Sequence, residues 1–117
     1  MALRDVTGAV DFGYLESYTM NDAVVMEEVL HIFQHQCELW SSMLTVDHPG
    51  WRDAAHTIKG AAAGVGAGVL AAAAEAAERG DELGTELRLE KVQAAMNAAL
   101  HDVAAYLHEL QLRSLKS

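Results

Sequence analysis

The pentapeptide HTIKG, residues 56–60, combines side chains that could carry out phosphoryl chemistry. In a helix, the residues three and four positions after His56 lie beside it on the same face, and these are Lys59 and Gly60. A neutral imidazole has one unprotonated nitrogen and can act as a nucleophile at neutral pH. A phosphoryl group on that nitrogen would carry about two negative charges. The ammonium group of Lys59 could then stabilise it, although solvent weakens such an effect at an exposed site.

The helical wheel of this segment places His56 opposite the apolar face. Gly60 and Ala63, one and two turns later, have no bulky side chain to cover the imidazole. Glycine inside a helix costs roughly 1 kcal/mol relative to alanine, so its position beside His56 favours a histidine left open to a large partner. A solvated surface histidine is the simpler alternative. The residues predicted to face the core are Trp51, Ala54, Ala55, Ile58, Ala61, Ala62 and Val65.

The composition predicts an all-α domain that positions this segment. The chain has 117 residues, the size of one domain, and 51% of them are hydrophobic but only 6% aromatic. Alanine, the best helix former, supplies much of the apolar content, and the single proline is Pro49. We therefore predict a single domain over residues 1–117, with a short N-terminal arm at about 1–20 and a bundle at about 21–113.

Hydrophobic periodicity predicts a short first helix or arm followed by four longer helices. The second helix is expected to begin after an N-cap at Asn21, and the fourth to end at Gly80. The glycines within 64–68 leave the start of the fourth helix open. Each long helix has one apolar face, so an antiparallel up-down-up-down four-helix bundle buries all of them. The predicted segments are 11–19, 22–44, 51–63, 69–79 and about 85–112.

Charge and targeting signals exclude several functions. With 17 acidic residues against 8 Lys and Arg, the net charge of −9 disfavours binding to nucleic acid or to an anionic membrane surface. No apolar run approaches the ~20 residues of a membrane span, and the N-terminus lacks the apolar region of a secretory signal. The single cysteine, Cys37, cannot form an internal disulfide. The expected location is therefore the cytoplasm.

The motif around His56 resembles that of the histidine phosphotransfer (HPt) domains of multistep two-component phosphorelays. The family pattern reads roughly His-x-hydrophobic-Lys-Gly-small-small-x-x-hydrophobic-Gly, and the helices before and after it extend the resemblance over nearly the whole chain. The residues that match the pattern are His56, Ile58, Lys59, Gly60, Ala61, Ala62, Val65 and Gly66, with Leu70 at the start of the next packed helix.

The resemblance implies that His56 accepts a phosphoryl group from the aspartyl phosphate of one receiver domain and passes it to the aspartate of another. The partners would be receivers of a hybrid histidine kinase and of a response regulator. The resemblance implies no ATP site and no cofactor, since the magnesium ion of the transfer belongs to the receiver. Lys59 would stabilise the phosphoryl group, and Gly60 would give the receiver clearance. From their positions near His56 on the helical wheel, we also expect Ala63 to leave the docking face free of large side chains and Arg52 to help to bind an acidic receiver surface. A monomer is expected, although a face lined with alanine could pack on a second copy.

One residue departs from the family pattern. Some family members carry a glutamine on the following helix that hydrogen-bonds the imidazole, and by register the matching residue here is Glu78. A carboxylate at this position could orient the ring through its N–H and make it more basic, or it could simply be solvated.

Rival functions have weaker support in the sequence. Glu28 and His31 resemble half of a di-iron motif, but the second half is missing, and His31 and His35 lie opposite the apolar stripe. The glycine-rich 64–68 lacks the strand and lysine of a nucleotide-binding loop. A histidine-kinase dimerisation site would usually have Glu after the histidine and Thr-Pro after the basic residue. The remaining alternative is an adaptor that binds receivers without being phosphorylated. Solvated positions are expected for His31, His35, His48, His101 and His108, and no metal site is predicted.

Overall fold

Residues 7–116 are described by a computed structural model, with side chains described for residues 7–115. This part of the chain contains helices and no strand, which confirms the predicted fold class. The second to fifth helices form an antiparallel bundle in which the third helix packs on the second and the fourth, and the fifth packs on the fourth and the second. None of these helices is both long and apolar enough to cross a bilayer. The helices are α1 (Phe12–Tyr18), α2 (Ala23–Ser41), α3 (Trp51–Val65), α4 (Gly68–Arg79) and α5 (Thr85–Lys116).

The connection between α1 and α2 places the cap of α2 one residue later than the sequence predicts. Met20 and Asn21 both adopt left-handed backbone conformations, with φ of 56° and 59°, and both lie in the turn between the two helices. Asp22 then becomes the N-cap, and its carboxylate accepts hydrogen bonds from the backbone N–H groups of Val24 and Val25. The prediction of Asn21 as the cap is therefore wrong, because its conformation belongs to the preceding turn.

The glycine-rich segment between α3 and α4 forms a tight corner. Helix α3 continues through Gly64 and ends at Gly66, whose φ of 83° is left-handed, and α4 begins at Gly68. The backbone N–H of Asp11 donates to the Gly66 carbonyl at 2.9 Å, and a Cβ on Gly66 would lie 2.8 Å from the Asp11 carbonyl oxygen. Gly66 therefore ends α3, and its lack of a side chain leaves room for the backbone of the N-terminal arm.

The core is built from the apolar stripes read from the sequence. The stripe predicted for the second helix is buried except for Trp40, which is partly exposed, and every residue of the stripe predicted for α5 is buried. The stripe predicted for the second helix consists of Met26, Leu30, Phe33, Cys37, Trp40 and Leu44. The sequence did not single out Tyr106, which is fully buried and stacks on Phe12 of α1 with ring centroids 4.3 Å apart. The buried stripe residues of α5 are Leu89, Val92, Met96, Ala99, Val103, Leu107 and Leu110.

A buried carboxylate on α5 binds the N-terminal arm. Asp102 has no exposed surface, and it accepts hydrogen bonds from the backbone N–H groups of Thr7 at 2.7 Å and Ala9 at 2.9 Å. The Thr7 hydroxyl donates to the same carboxylate at 3.1 Å. Because a buried carboxylate must be hydrogen-bonded, these contacts fix the arm against the bundle.

Candidate functional site

The site is built on the outer face of α3. His56 lies there with 65% of its side chain exposed, on the side that the helical wheel predicts. The opposite face packs into the core through Ala54, Ala55 and Ile58, which have no exposed surface. Burial of this apolar face fixes the orientation of α3, because the helix cannot rotate without exposing it. The imidazole therefore stays at the surface.

Glu78 of α4 reaches across to the imidazole. Its Oε1 atom lies 2.8 Å from Nδ1 of His56. An ionised carboxylate can only accept hydrogen bonds, so Nδ1 carries the hydrogen in this pair. In the neutral ring the other nitrogen, Nε2, is then unprotonated, and its lone pair is available to an electrophile. Of the two possibilities that the sequence leaves for Glu78, contact with the ring or simple solvation, the structure shows the contact.

Lys59 completes a charged group around Glu78. Its Nζ atom lies 3.5 Å from Oε2 of Glu78, on the carboxylate oxygen that does not contact His56. The hydrogen bond from His56 lowers the pKa of Glu78 below its usual range, and the electrostatic effects of His56 and Lys59 act in the same direction. Partial desolvation opposes this shift of the Glu78 pKa but does not reverse it. The carboxylate is therefore ionised at neutral pH.

Arg52 contacts the same residue through the main chain. Its guanidinium group donates to the backbone carbonyl of Glu78, and it lies 4.5 Å from the centre of the Trp51 ring. Carbonyls in the last turn of a helix have no partner within that helix, so Arg52 satisfies one of them at the end of α4. The sequence assigned Arg52 to receiver docking and did not indicate this contact, because it depends on how α3 and α4 pack.

The small residues predicted to leave the surface beside His56 free of large side chains are exposed to solvent. Gly60 and Ala63 are exposed, and a Cβ added to Gly60 would meet no atom within 4 Å. Beside them a groove of about 250 Å³ runs between α2 and α3. Two large apolar side chains border it, Tyr18 at 70% exposure and Ile32 at 60% exposure. Ile32 was not among the predicted residues, although an apolar side chain on the polar face of α2 was a usable signal.

The other histidines and the cysteine lie outside this site. His31, His35, His101 and His108 are exposed, as expected. The prediction for His48 is wrong, because this residue is half-buried and its Nδ1 accepts a hydrogen bond from the backbone N–H of Gly50 within the turn before α3.

Cys37 is buried in the core, as predicted, and burial raises the pKa of its thiol to about 11. Across residues 7–116, no group of three or more His, Cys, Asp or Glu side chains is arranged to hold a metal ion.

Comparisons with known proteins agree with this geometry. The family model described as Hpt domain matches residues 25–111. Among solved structures, the chain is similar to the histidine phosphotransferase ShpA from Caulobacter crescentus, with 53% sequence identity and a TM-score of 0.82. The match covers 92% of this chain and 99% of ShpA. No curated protein matches. From the family model and this structural match together, the chain belongs to the Hpt domain family.

Proposed function

We propose that this protein is a phosphorelay phosphocarrier whose phosphorylated residue is His56. It accepts a phosphoryl group from the aspartyl phosphate of one receiver domain and passes it to the aspartate of another. The observation that carries this proposal is the 2.8 Å contact between Nδ1 of His56 and the Glu78 carboxylate, on a ring that is otherwise exposed. That contact leaves Nε2 as the nucleophile.

Lys59 supports the transfer through its charge. Its ammonium group lies beside the His56–Glu78 pair, where it offsets the negative charge that arrives with the phosphoryl group. Glu78 orients the imidazole so that Nε2 faces the incoming phosphorus atom. In this proposal Glu78 is a positioning residue, while His56 forms the bond to phosphorus.

The surface around His56 suits a transient protein partner. Gly60 and Ala63 let a receiver approach the imidazole closely, and Tyr18 and Ile32 supply exposed apolar area at the edge of the same face. Arg52 stays exposed and adds a positive charge that can meet an acidic receiver surface. A small apolar area with a charged rim is typical of interfaces that form and dissociate.

The chemistry requires little else from this chain. The receiver supplies the aspartate and its magnesium ion, so the carrier needs neither ATP nor a cofactor of its own. We propose that it is a carrier rather than a free-standing enzyme, and that it acts as a monomer in the cytoplasm between a hybrid histidine kinase and a response regulator.

Phosphotransfer from a phosphorylated receiver domain tests the proposal. The native chain should take up an acid-labile, alkali-stable phosphate, and His56→Gln should take up none. His35→Gln, which changes an exposed histidine on α2, is the matched control and should be labelled like the native chain. Lys59→Ala should be labelled more slowly or lose its label sooner.

The same experiment separates the carrier from an adaptor. Labelling of His56→Gln at the native level would overturn the assignment of the phosphorylated residue. If receivers bind the native chain but none transfers phosphate to it, the protein is an adaptor with the same bundle. Binding and transfer are therefore measured on the same receivers.

A further inference from the structure

The oxygen that contacts the imidazole can accept a hydrogen bond but cannot donate one. Glu78 Oε1 lies 2.8 Å from Nδ1 of His56, and the carboxylate is ionised. We propose that Glu78 keeps the proton on Nδ1 after His56 is phosphorylated, so that one hydrogen bond prepares the imidazole both to accept and to release the phosphoryl group. This inference rests on the proposed function and concerns the same site.

The accepting step leaves the ring positively charged. The Nε2 lone pair of His56 attacks the phosphorus of the aspartyl phosphate, an N–P bond forms, and the P–O bond breaks with its electron pair returning to the aspartate carboxylate. No proton moves in this step, so the imidazole now carries phosphorus on Nε2 and hydrogen on Nδ1. An isolated phosphoimidazole in this form loses the Nδ1 proton to water as the pH rises. The negative charge of Glu78 opposes that loss.

The releasing step depends on that proton. When the aspartate of the second receiver attacks phosphorus, a P–O bond forms and the N–P bond breaks with its electron pair returning to Nε2. If Nδ1 still carries hydrogen, the leaving group is a neutral imidazole in the tautomer that Glu78 already holds. If Nδ1 has lost the hydrogen, the leaving group is an imidazolate anion, which leaves much more slowly. Retention of the proton therefore favours onward transfer.

A glutamine at this position would act differently. Its amide has an oxygen that accepts and an NH₂ group that donates, so by rotating it can hydrogen-bond Nδ1 with or without a proton. A carboxylate stabilises only the protonated ring. Glu78 therefore differs in its effect on the ring from the glutamine that some members of the family carry at this position.

The other charges near the ring do not replace Glu78. From α3, Arg52 and Lys59 carry positive charge, which disfavours a second positive charge on the imidazole, and Asp53 lies one turn before His56. From α4, Glu75 and Arg79 pair with each other at 3.4 Å. Glu78 is the carboxylate in contact with the ring, and it also offsets the charge of Lys59 at 3.5 Å.

The protonation of phosphorylated His56 can be measured without any receiver. The full chain is phosphorylated with phosphoramidate, and the ring nitrogens of His56 are followed by nitrogen NMR between about pH 5 and 9, the range in which imidazoles titrate. His56→Gln identifies the signal. Glu78→Gln should move the midpoint of Nδ1 deprotonation to lower pH by about one unit or more, the effect of losing one adjacent opposite charge. Glu75→Gln, one turn earlier on α4, should leave the midpoint unchanged.

Transfer to an unphosphorylated receiver gives the second readout. Near pH 8 the phosphorylated Glu78→Gln chain should transfer its phosphoryl group about tenfold more slowly than the native chain. A shift of the Nδ1 deprotonation midpoint by about one pH unit implies a difference of this size. Near pH 6, where Nδ1 is protonated in both, the two rates should agree within about twofold. An unmoved midpoint, an equal shift in Glu75→Gln, or equal slowing at both pH values would overturn the inference. If the midpoint moves but no receiver takes phosphate from the native chain, the proposed function fails while the role of Glu78 in holding the proton stands.

Discussion

Two carboxylates in this molecule have opposite surroundings. Glu78 lies at the rim of the bundle with 23% of its side chain exposed, and its side chain contacts His56 and Lys59. Asp102 has no exposed surface and accepts hydrogen bonds from Thr7 and Ala9. Glu78 contacts the imidazole of His56, whereas Asp102 holds the backbone of the N-terminal arm in place.

The difference follows from solvation. A buried carboxylate must have fixed partners, because water cannot reach it to replace one that is lost. Glu78 is only partly exposed, but solvent still screens its contacts, so changing it should cost the fold less than changing a fully buried carboxylate. We therefore expect changes near Asp102 to alter stability, and changes near Glu78 to alter phosphotransfer.

The largest expected effect on stability comes from Asp102→Ala. The substitution leaves the backbone N–H groups of Thr7 and Ala9 without their acceptor, and should lower the free energy of unfolding by about 3 kcal/mol. Chemical denaturation measures this loss, and the melting temperature should fall by about 10 °C. Glu90→Ala, at an exposed position of the same helix, is the control and should change stability by less than about 0.5 kcal/mol. A loss in Asp102→Ala no larger than in this control would contradict the comparison.

A smaller effect of opposite sign is expected from Gly60→Ala. The added methyl group meets no atom within 4 Å, and alanine is the better helix former, so the free energy of unfolding should rise by up to about 1 kcal/mol. Phosphotransfer should nevertheless slow, because the methyl group stands one turn from His56, where the proposed receiver partner would approach. Gly64→Ala also adds a methyl group in open space but two turns from His56, and it should stabilise the fold with less effect on transfer. Native transfer rates in Gly60→Ala would show that this face tolerates a side chain.

The smallest effect is the pH dependence that Glu78 gives to stability. Its pKa is lower in the folded protein than in the unfolded chain, chiefly through the hydrogen bond from His56. The resulting stabilisation is present above about pH 4.3, the value for an unfolded glutamate, and is lost as the pH falls through the lower folded pKa. The native chain should therefore exceed Glu78→Gln in stability near neutral pH, with the difference shrinking below about pH 4. Chemical denaturation of both chains between neutral pH and below about pH 4 measures this difference in stability. A difference that grows as the pH falls would contradict the expected direction.

Much of the fold could be predicted because it depends on local pattern. The four-residue and three-residue spacing of apolar side chains located α2, α3 and α5, and it placed His56 on the outer face of α3. The failures lie at the ends of helices. The sequence predicts Asn21 as the cap of α2, whereas the cap is Asp22, and α3 extends two residues beyond its predicted end because its glycines do not stop it. Helix ends depend on one or two residues and on what packs against them, so periodicity determines them poorly.

The features of the candidate site also divide into those that the sequence predicts and those that it does not. His56, Lys59 and Gly60 could be chosen from spacing within one helix, and Glu78 only from its likeness to a position in related proteins. The contact of Arg52 with the Glu78 carbonyl and the exposed Ile32 beside the groove were not predicted. The Arg52 contact joins helices that are separate in sequence, so no local spacing encodes it. The position of Ile32 on the polar face of α2 is a local signal that the sequence does carry.

The sequence by itself determined which helices form, which faces they bury and which histidine is left open, because a helix repeats every 3.6 residues and alanine-rich segments favour it. Only the tertiary structure decided that Glu78 meets Nδ1 at 2.8 Å and that Asp102 receives the arm. Both contacts join residues far apart in the chain, 22 positions in one case and 95 in the other. Their geometry depends on how whole helices pack, which the pattern within any one helix does not specify.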